Sequence, residues 1–132
     1  PPVQQLVDYL ATHPQATVCH HRSDMILNIH SDASYLSETR ARSRVAGHFF
    51  LGSTPTDNQP IKLNGSIYTL CGILKIVVAS AAEAELGALF MNIKEGVILR
   101  LILTELGHKQ PPTPVHCDNQ TATDIAHDTD NK

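Results

Sequence analysis

No run of about 18 apolar residues occurs anywhere in the 132-residue chain, which excludes a membrane-spanning helix. No basic stretch followed by an apolar one opens it, so no secretory leader is visible. Paired cysteine spacing is lacking too. Cys19, Cys71 and Cys117 are odd in number, far apart and without a CxxC, which argues against a disulfide framework or a zinc ribbon. Three reduced, mostly buried thiols and an intracellular location are the expectations. An initiating Met is absent, and an opening on Pro1-Pro2 is expected of a piece of a longer polypeptide or of a processed product. Neither a GxSxG elbow nor a cysteine-and-base signature is present, so nucleophilic catalysis has no candidate. Internal repeats and low-complexity tracts are missing as well. Positive charge is scarce. Ten Lys plus Arg against 13 Asp plus Glu leave a formal net charge of −3, the wrong sign for a domain that binds by bulk attraction to phosphates.

What remains is a composition of 42% hydrophobic and 17% charged residues, enough for one globular domain with its own core. Residues 3–10, VQQLVDYL, set Val3, Leu6, Val7 and Leu10 at helical spacing, and Pro14 forbids continuation. Residues 1–23 thus read as a lead-in helix and linker, with the domain proper over 24–132. Alternation over residues 25–31 predicts a first strand with Asp32 at its C-terminal end. A second strand is predicted over 44–51. Asn64-Gly65 is the strongest hairpin signal in the chain, and a third strand over 66–78 carries Gly72 as a hint of a bulge. The period then becomes helical over 80–106, with Ala82, Leu86, Leu89, Ile93, Val97 and Leu101 forming a stripe and Gly107 closing it. A short buried strand over 114–118 and a weak helix over 119–127 follow. Three strands with hairpin-length links favour an antiparallel meander, and a strand reached through a long helix pairs in parallel by a right-handed crossover. An α/β domain with a mixed sheet is the expected architecture.

Asp32 and Asp118 both fall at predicted strand ends, and neighbouring strands bring such ends together. Two carboxylates that close need a proton or a cation, and a hard divalent ion meets the need. The competing readings are structural: Asp32 starts a turn, and Asp118 caps the helix beginning at Asn119. In SAAEAEL, Ser80 and Glu83 match a capping box, which occupies Glu83. Glu85 lies roughly 200° further round the helix, without a capping duty, and its structural alternative is a favourable position near the helix N-terminus. Periodicity alone does not choose. Arg40, Arg42 and Arg44 alternate in TRARSR and share one face if that segment is extended, a candidate phosphate-contacting stripe or a solvated strand entry.

The stretches HSDASYLSETRARSRVAGHFFLG, SAAEAELGALF and ELGHKQPPTPVHCDNQTA, in this order and spacing, resemble the ribonuclease H domain at the end of the polyprotein of copia-type retrotransposons. The resemblance covers the chain from about Asp24 onward, and the lead-in helix is similar to the segment joining that domain to a preceding reverse transcriptase. It implies a ribonuclease H-like mixed sheet of three antiparallel strands plus a parallel fourth, with helices. It also implies that Asp32, Glu85 and Asp118 bind Mg²⁺ or Mn²⁺ at a two-metal site that cuts the RNA strand of an RNA–DNA hybrid. Arg40, Arg42, Arg44 and Asn119 are the expected nucleic-acid contacts, and the reverse transcriptase part of a parent polyprotein is an expected partner. The family's final strand and helix, with a fourth metal-site residue, are missing. Asp124, Asp128 and Asp130 come too early to supply that residue, so a weakened second metal site and impaired cleavage are expected.

Two rivals stand beside this reading. The same fold can survive as a remnant or structural module whose acids merely repel each other. The other is a small metal-binding protein using the histidines around Cys19-His20-His21 and His30. Neighbouring residues of an extended segment point to opposite faces, so His20 and His21 do not share an ion, and the usual zinc spacings are lacking. His48 and His116 are expected at an edge or on the surface.

Overall fold

The computed structural model describes residues 2–54 and 61–128. Seven elements follow one another: α1 (Pro2–Thr12), β1 (Ile26–Glu38), β2 (Arg42–Gly52), β3 (Ser66–Ile73), α2 (Ala81–Glu105), β4 (Val115–Cys117) and α3 (Gln120–Asp128). The four strands form one sheet in the order β3-β2-β1-β4. β1 pairs antiparallel with β2, β2 antiparallel with β3, and β1 parallel with β4. The architecture is therefore mixed α/β, consistent with the ribonuclease H-like fold that the resemblance implies. Among the described residues no helix is long and apolar enough to cross a membrane.

Strand pleating sorts β1 into two sets. Leu27, Ile29, Ser31 and Ala33 face α2, paired across to Leu51, Phe49, Gly47 and Val45, while Asn28, His30 and Asp32 take the opposite face. Between α2 and the sheet lie two adjoining clusters, one of Val45, Leu74, Val78, Ala84 and Ala88, the other of Leu27, Ile29, Phe49 and Leu103. Burying such side chains contributes about 1.5–3 kcal/mol each for the larger ones.

The side of α2 that meets the sheet is not the predicted stripe. Its buried residues are Ala84, Glu85, Ala88, Asn92, Gly96 and Leu103, whereas Val97 and Leu101 are 61% and 62% exposed. Apolar side chains surround this helix, so their period carries no direction, and small residues win the inner face because the helix comes close to β1 and β2. A Cβ on Gly47 would stand 2.0 Å from Asn92 Oδ1.

The other sequence expectations divide. β1 runs on to Glu38, so Asp32 lies in the middle of the strand rather than at its end. β3 stops at Ile73, short of the predicted 78, and the register shift in its ladder falls beside Ile67 rather than at Gly72. Ser80 does cap α2, with Glu83 N donating to its Oγ at 3.1 Å and Glu83 Oε2 accepting from Ala79 N at 2.8 Å. Gly107, at φ 92°, follows the helix end as expected.

Asn64-Gly65 is not a hairpin turn; it is a clamp immediately before β3. Asn64 Oδ1 accepts from His21 N at 2.7 Å, and its Nδ2 donates to Leu51 O and His21 O. Gly65 N donates to Cys19 O at 3.0 Å. Together they tie the linker to β2. Asn64→Ala should cost about 1 kcal/mol, as three hydrogen bonds to exposed or half-buried backbone groups are lost, and should speed limited proteolysis within residues 16–22; unchanged cleavage there would count against the clamp.

Candidate metal centre

β4 is only three residues long, and other side chains hold it against β1. Gln110 Oε1 accepts from Leu27 N at 3.0 Å and Gln110 Nε2 donates to Met25 O at 2.8 Å, extending the β1 ladder before β4 begins. Arg100 of α2 donates to Pro111 O, Thr113 Oγ1 and Gln110 O. The register is then set as Ile29↔Val115, His30↔His116 and Ser31↔Cys117. Asp118 is the first residue past this strand and Asp32 the first of β1 beyond the paired stretch.

Asp118 is not the cap of α3. Ala122 N donates to Asn119 Oδ1 at 3.2 Å, so Asn119 serves the helix end and Asp118 is without that duty. This use also takes up the Asn119 side-chain oxygen, which the resemblance had offered to nucleic acid.

Glu85 enters from α2 and is only 6% exposed. Its Oε1 accepts from Ala33 N at 3.0 Å, and its Oε2 lies 3.8 Å from the Cys117 thiol. Among the described residues the ion pair found is Arg44–Glu38, so no Lys or Arg offsets this buried carboxylate. Burial pushes its pKa above the ordinary carboxylate value, opposed by the Ala33 amide and reinforced by the charges of Asp32 and Asp118.

The ligand atoms of Glu85, Cys117 and Asp118 all lie within 4.8 Å of one another. Asp32 stands outside that cluster, yet it shares with Asp118 a cleft of about 270 Å³ also lined by His30, Ser31, His116 and Cys117. The three acids singled out in the sequence are thus brought to one end of the β1–β4 pair, while Glu83 is kept at its own helix end. Asp124 is on the exposed side of α3, Asp128 is its last residue, and Asp130 lies outside the described residues.

A raised carboxylate pKa has a definite sign in stability. The ionised form of Glu85 is disfavoured in the folded chain, so the contribution of Glu85 to stability is greatest at acidic pH and falls as pH rises from the ordinary carboxylate range through the raised value. In the presence of a chelator, Glu85→Gln should melt higher than the parent by about 3 °C at neutral pH, and the gap should close toward acidic pH. Thermal melts across pH check this; a less stable variant at neutral pH would contradict the account.

Two arrangements escaped the sequence. Cys117 faces Glu85, because strand alternation turns it to the α2 side with Ser31; its place directly before Asp118 in a strand was the available signal. His48, His30 and His116 form a row across β2, β1 and β4, with His30 and His116 rings 4.8 Å apart. Burial and the two flanking histidines lower the His30 pKa. The thiols are free but not mostly buried: Cys19 and Cys71 are exposed and Cys117 is half-buried. The arginine stripe is broken as well. Arg40 sits in the β1–β2 turn at φ 62°, and Arg44 is held by Glu38 at 2.5 Å.

Over 124 residues, 94% of its length, the chain is 30% identical to the Retrovirus-related Pol polyprotein from transposon TNT 1-94 of Nicotiana tabacum, and it spans 9% of that polyprotein. No family model and no solved structure matches it.

Proposed function

We propose that this domain is a metal-dependent endonuclease of the ribonuclease H type, cutting the RNA strand of RNA–DNA hybrids in a retroelement. The observation that carries the reading is Glu85, a nearly buried carboxylate without a basic partner, set within 4.8 Å of Asp118 and in the field of Asp32. Such a donor set fits a hard divalent cation, since oxygen ligands and unbalanced negative charge are what Mg²⁺ and Mn²⁺ require. The similarity to a retroelement polyprotein and the mixed four-stranded sheet support the same reading.

Asp32, Glu85 and Asp118 would hold the ion or ions. Bound there, the metal supplies activation of water and stabilisation of the leaving oxygen of a phosphodiester. The chain's own work is placement. The Ala33 amide fixes one oxygen of Glu85. Asn92 Nδ2 bridges Ser31 Oγ and Ala46 O, both at 2.9 Å, pinning α2 to β1 and β2 on the face where Glu85 meets Ala33. Asn119 turns the chain away into α3 and leaves Asp118 at the cleft. With Arg44 engaged by Glu38, phosphate contact falls to Arg40 and Arg42. The net charge of −3 makes capture of the hybrid weak and steeply salt-dependent.

The test is cleavage of a hybrid labelled separately on each strand, with Mg²⁺ or Mn²⁺ at low ionic strength. Metal-dependent cutting of the RNA strand, with the DNA strand intact, is expected; turnover should be higher with Mn²⁺. If the metal raises the melting temperature but no strand is cut, the domain is a binding module of the same fold, and the hydrolytic reading fails.

A further inference from the structure

The three side chains whose ligand atoms come closest in the site are not three carboxylates. Glu85 and Asp118 close on the thiol of Cys117, and the hydrolytic reading leaves that thiol without a task. Its position is specific. In register with Ser31, Cys117 is turned toward α2, and its Sγ is aimed at Glu85 Oε2 rather than packed into the apolar clusters. Beyond this thiol and the Ala33 amide, nothing among the described residues balances the Glu85 carboxylate.

We propose that Glu85, Cys117 and Asp118 form a capture site for a thiophilic divalent cation of the Zn²⁺ and Cd²⁺ class, exclusive with the hard ion of the hydrolytic centre. Sulfur discriminates between the two classes. Mg²⁺ keeps an oxygen shell close to octahedral, whereas Zn²⁺ takes thiolate, imidazole and carboxylate in a tetrahedron. Ligand atoms around such an ion stand roughly 3.5 Å apart, so the cluster must close by about an ångström. Asp118, exposed and already past the end of β4, is the member free to make that move. On binding, the thiol proton leaves to solvent as the metal–sulfur bond forms, with no change of oxidation state. The ion then occupies two carboxylates that the hydrolytic centre needs. Thiophilic ions therefore inhibit; this consequence alone rests on the hydrolytic reading.

Titration of the full chain with Cd²⁺, followed by the near-ultraviolet thiolate-to-metal charge-transfer band, tests the site without reference to activity. The parent should give a one-to-one band. Cys117→Ser should abolish it, the double variant Cys19→Ser, Cys71→Ser should retain it, and Glu85→Gln should weaken binding at least tenfold. Added Mg²⁺ should raise the apparent Cd²⁺ dissociation constant. No band in the parent, a band that survives Cys117→Ser, or indifference to Glu85→Gln each overturns the proposal. A chain that shows the Cys117 band but cuts no hybrid keeps the capture site and loses the nuclease. Mg²⁺-dependent cutting without a Cys117 band does the reverse.

Discussion

Asp118→Asn is expected to abolish both the melting-temperature rise produced by millimolar Mn²⁺ and the cleavage of hybrid, the latter by about a hundredfold or more. Even residues that only orient a metal ligand cost 10- to 100-fold when replaced, and Asp118 is a direct member of the cluster with Glu85. The metal-free fold should be unharmed, because the cap of α3 belongs to Asn119. Removing one of three mutually repelling acids should leave the melting temperature in chelator equal to or above that of the parent. The two melts separate the explanations: loss of the Mn²⁺ shift with the chelator melt preserved supports ligation, whereas a lower chelator melt would assign Asp118 a structural role.

The largest effect on stability is expected at a glycine. An added Cβ on Gly47 would stand 2.0 Å from Asn92 Oδ1, 2.8 Å from Asn92 Cγ and 2.9 Å from Phe49 Cε2. Asn92 has little room to withdraw, since its amide is held by Ser31 and Ala46 and its side chain is fully buried. Gly47→Ala should cost about 2–4 kcal/mol, combining overpacking with loss of buried hydrogen bonds. It should also weaken Mn²⁺ binding, because Asn92 is what sets Glu85 over β1. Gly72→Ala is the matched control: its Cβ would meet only Met91 Cε, at an ordinary 3.7 Å. Urea unfolding of the two variants decides the point; equal stabilities would show that α2 can shift without cost.

Local pattern singled out the acids, HSDAS on an alternating strand, a helix start that spends Glu83 on its cap and DN after a short apolar run, but it left a structural alternative open for each, and only the resemblance joined Asp32, Glu85 and Asp118 into one set. Local patterns also supplied the pairing directions, since link lengths favour antiparallel neighbours for the first three strands and a parallel one for the strand reached through the long helix. What could not be read was orientation. α2 is apolar on every side, so no period identifies the face that meets the sheet, and of the predicted stripe Leu86 and Leu89 are half-buried while Ile93, Val97 and Leu101 are outside. Cross-chain register was equally hidden. The row His48–His30–His116 and the approach of Cys117 to Glu85 join residues far apart in sequence, and they appear only once strands are aligned residue by residue. Asn64-Gly65 misled for a related reason: a side chain able to make a turn made long-range bonds to His21 and Leu51 instead.

The most direct test of the central claim is a crystal structure of the chain grown or soaked with Mn²⁺ and recorded for anomalous scattering. The account predicts at least one anomalous peak coordinated by carboxylate oxygens of Glu85 and Asp118, with Asp32 drawn in as a further ligand at roughly the 2.0–2.6 Å typical of hard divalent ions. A structure at saturating Mn²⁺ in which these three side chains bind no metal, with Glu85 still closed on Ala33 and Cys117, would contradict it.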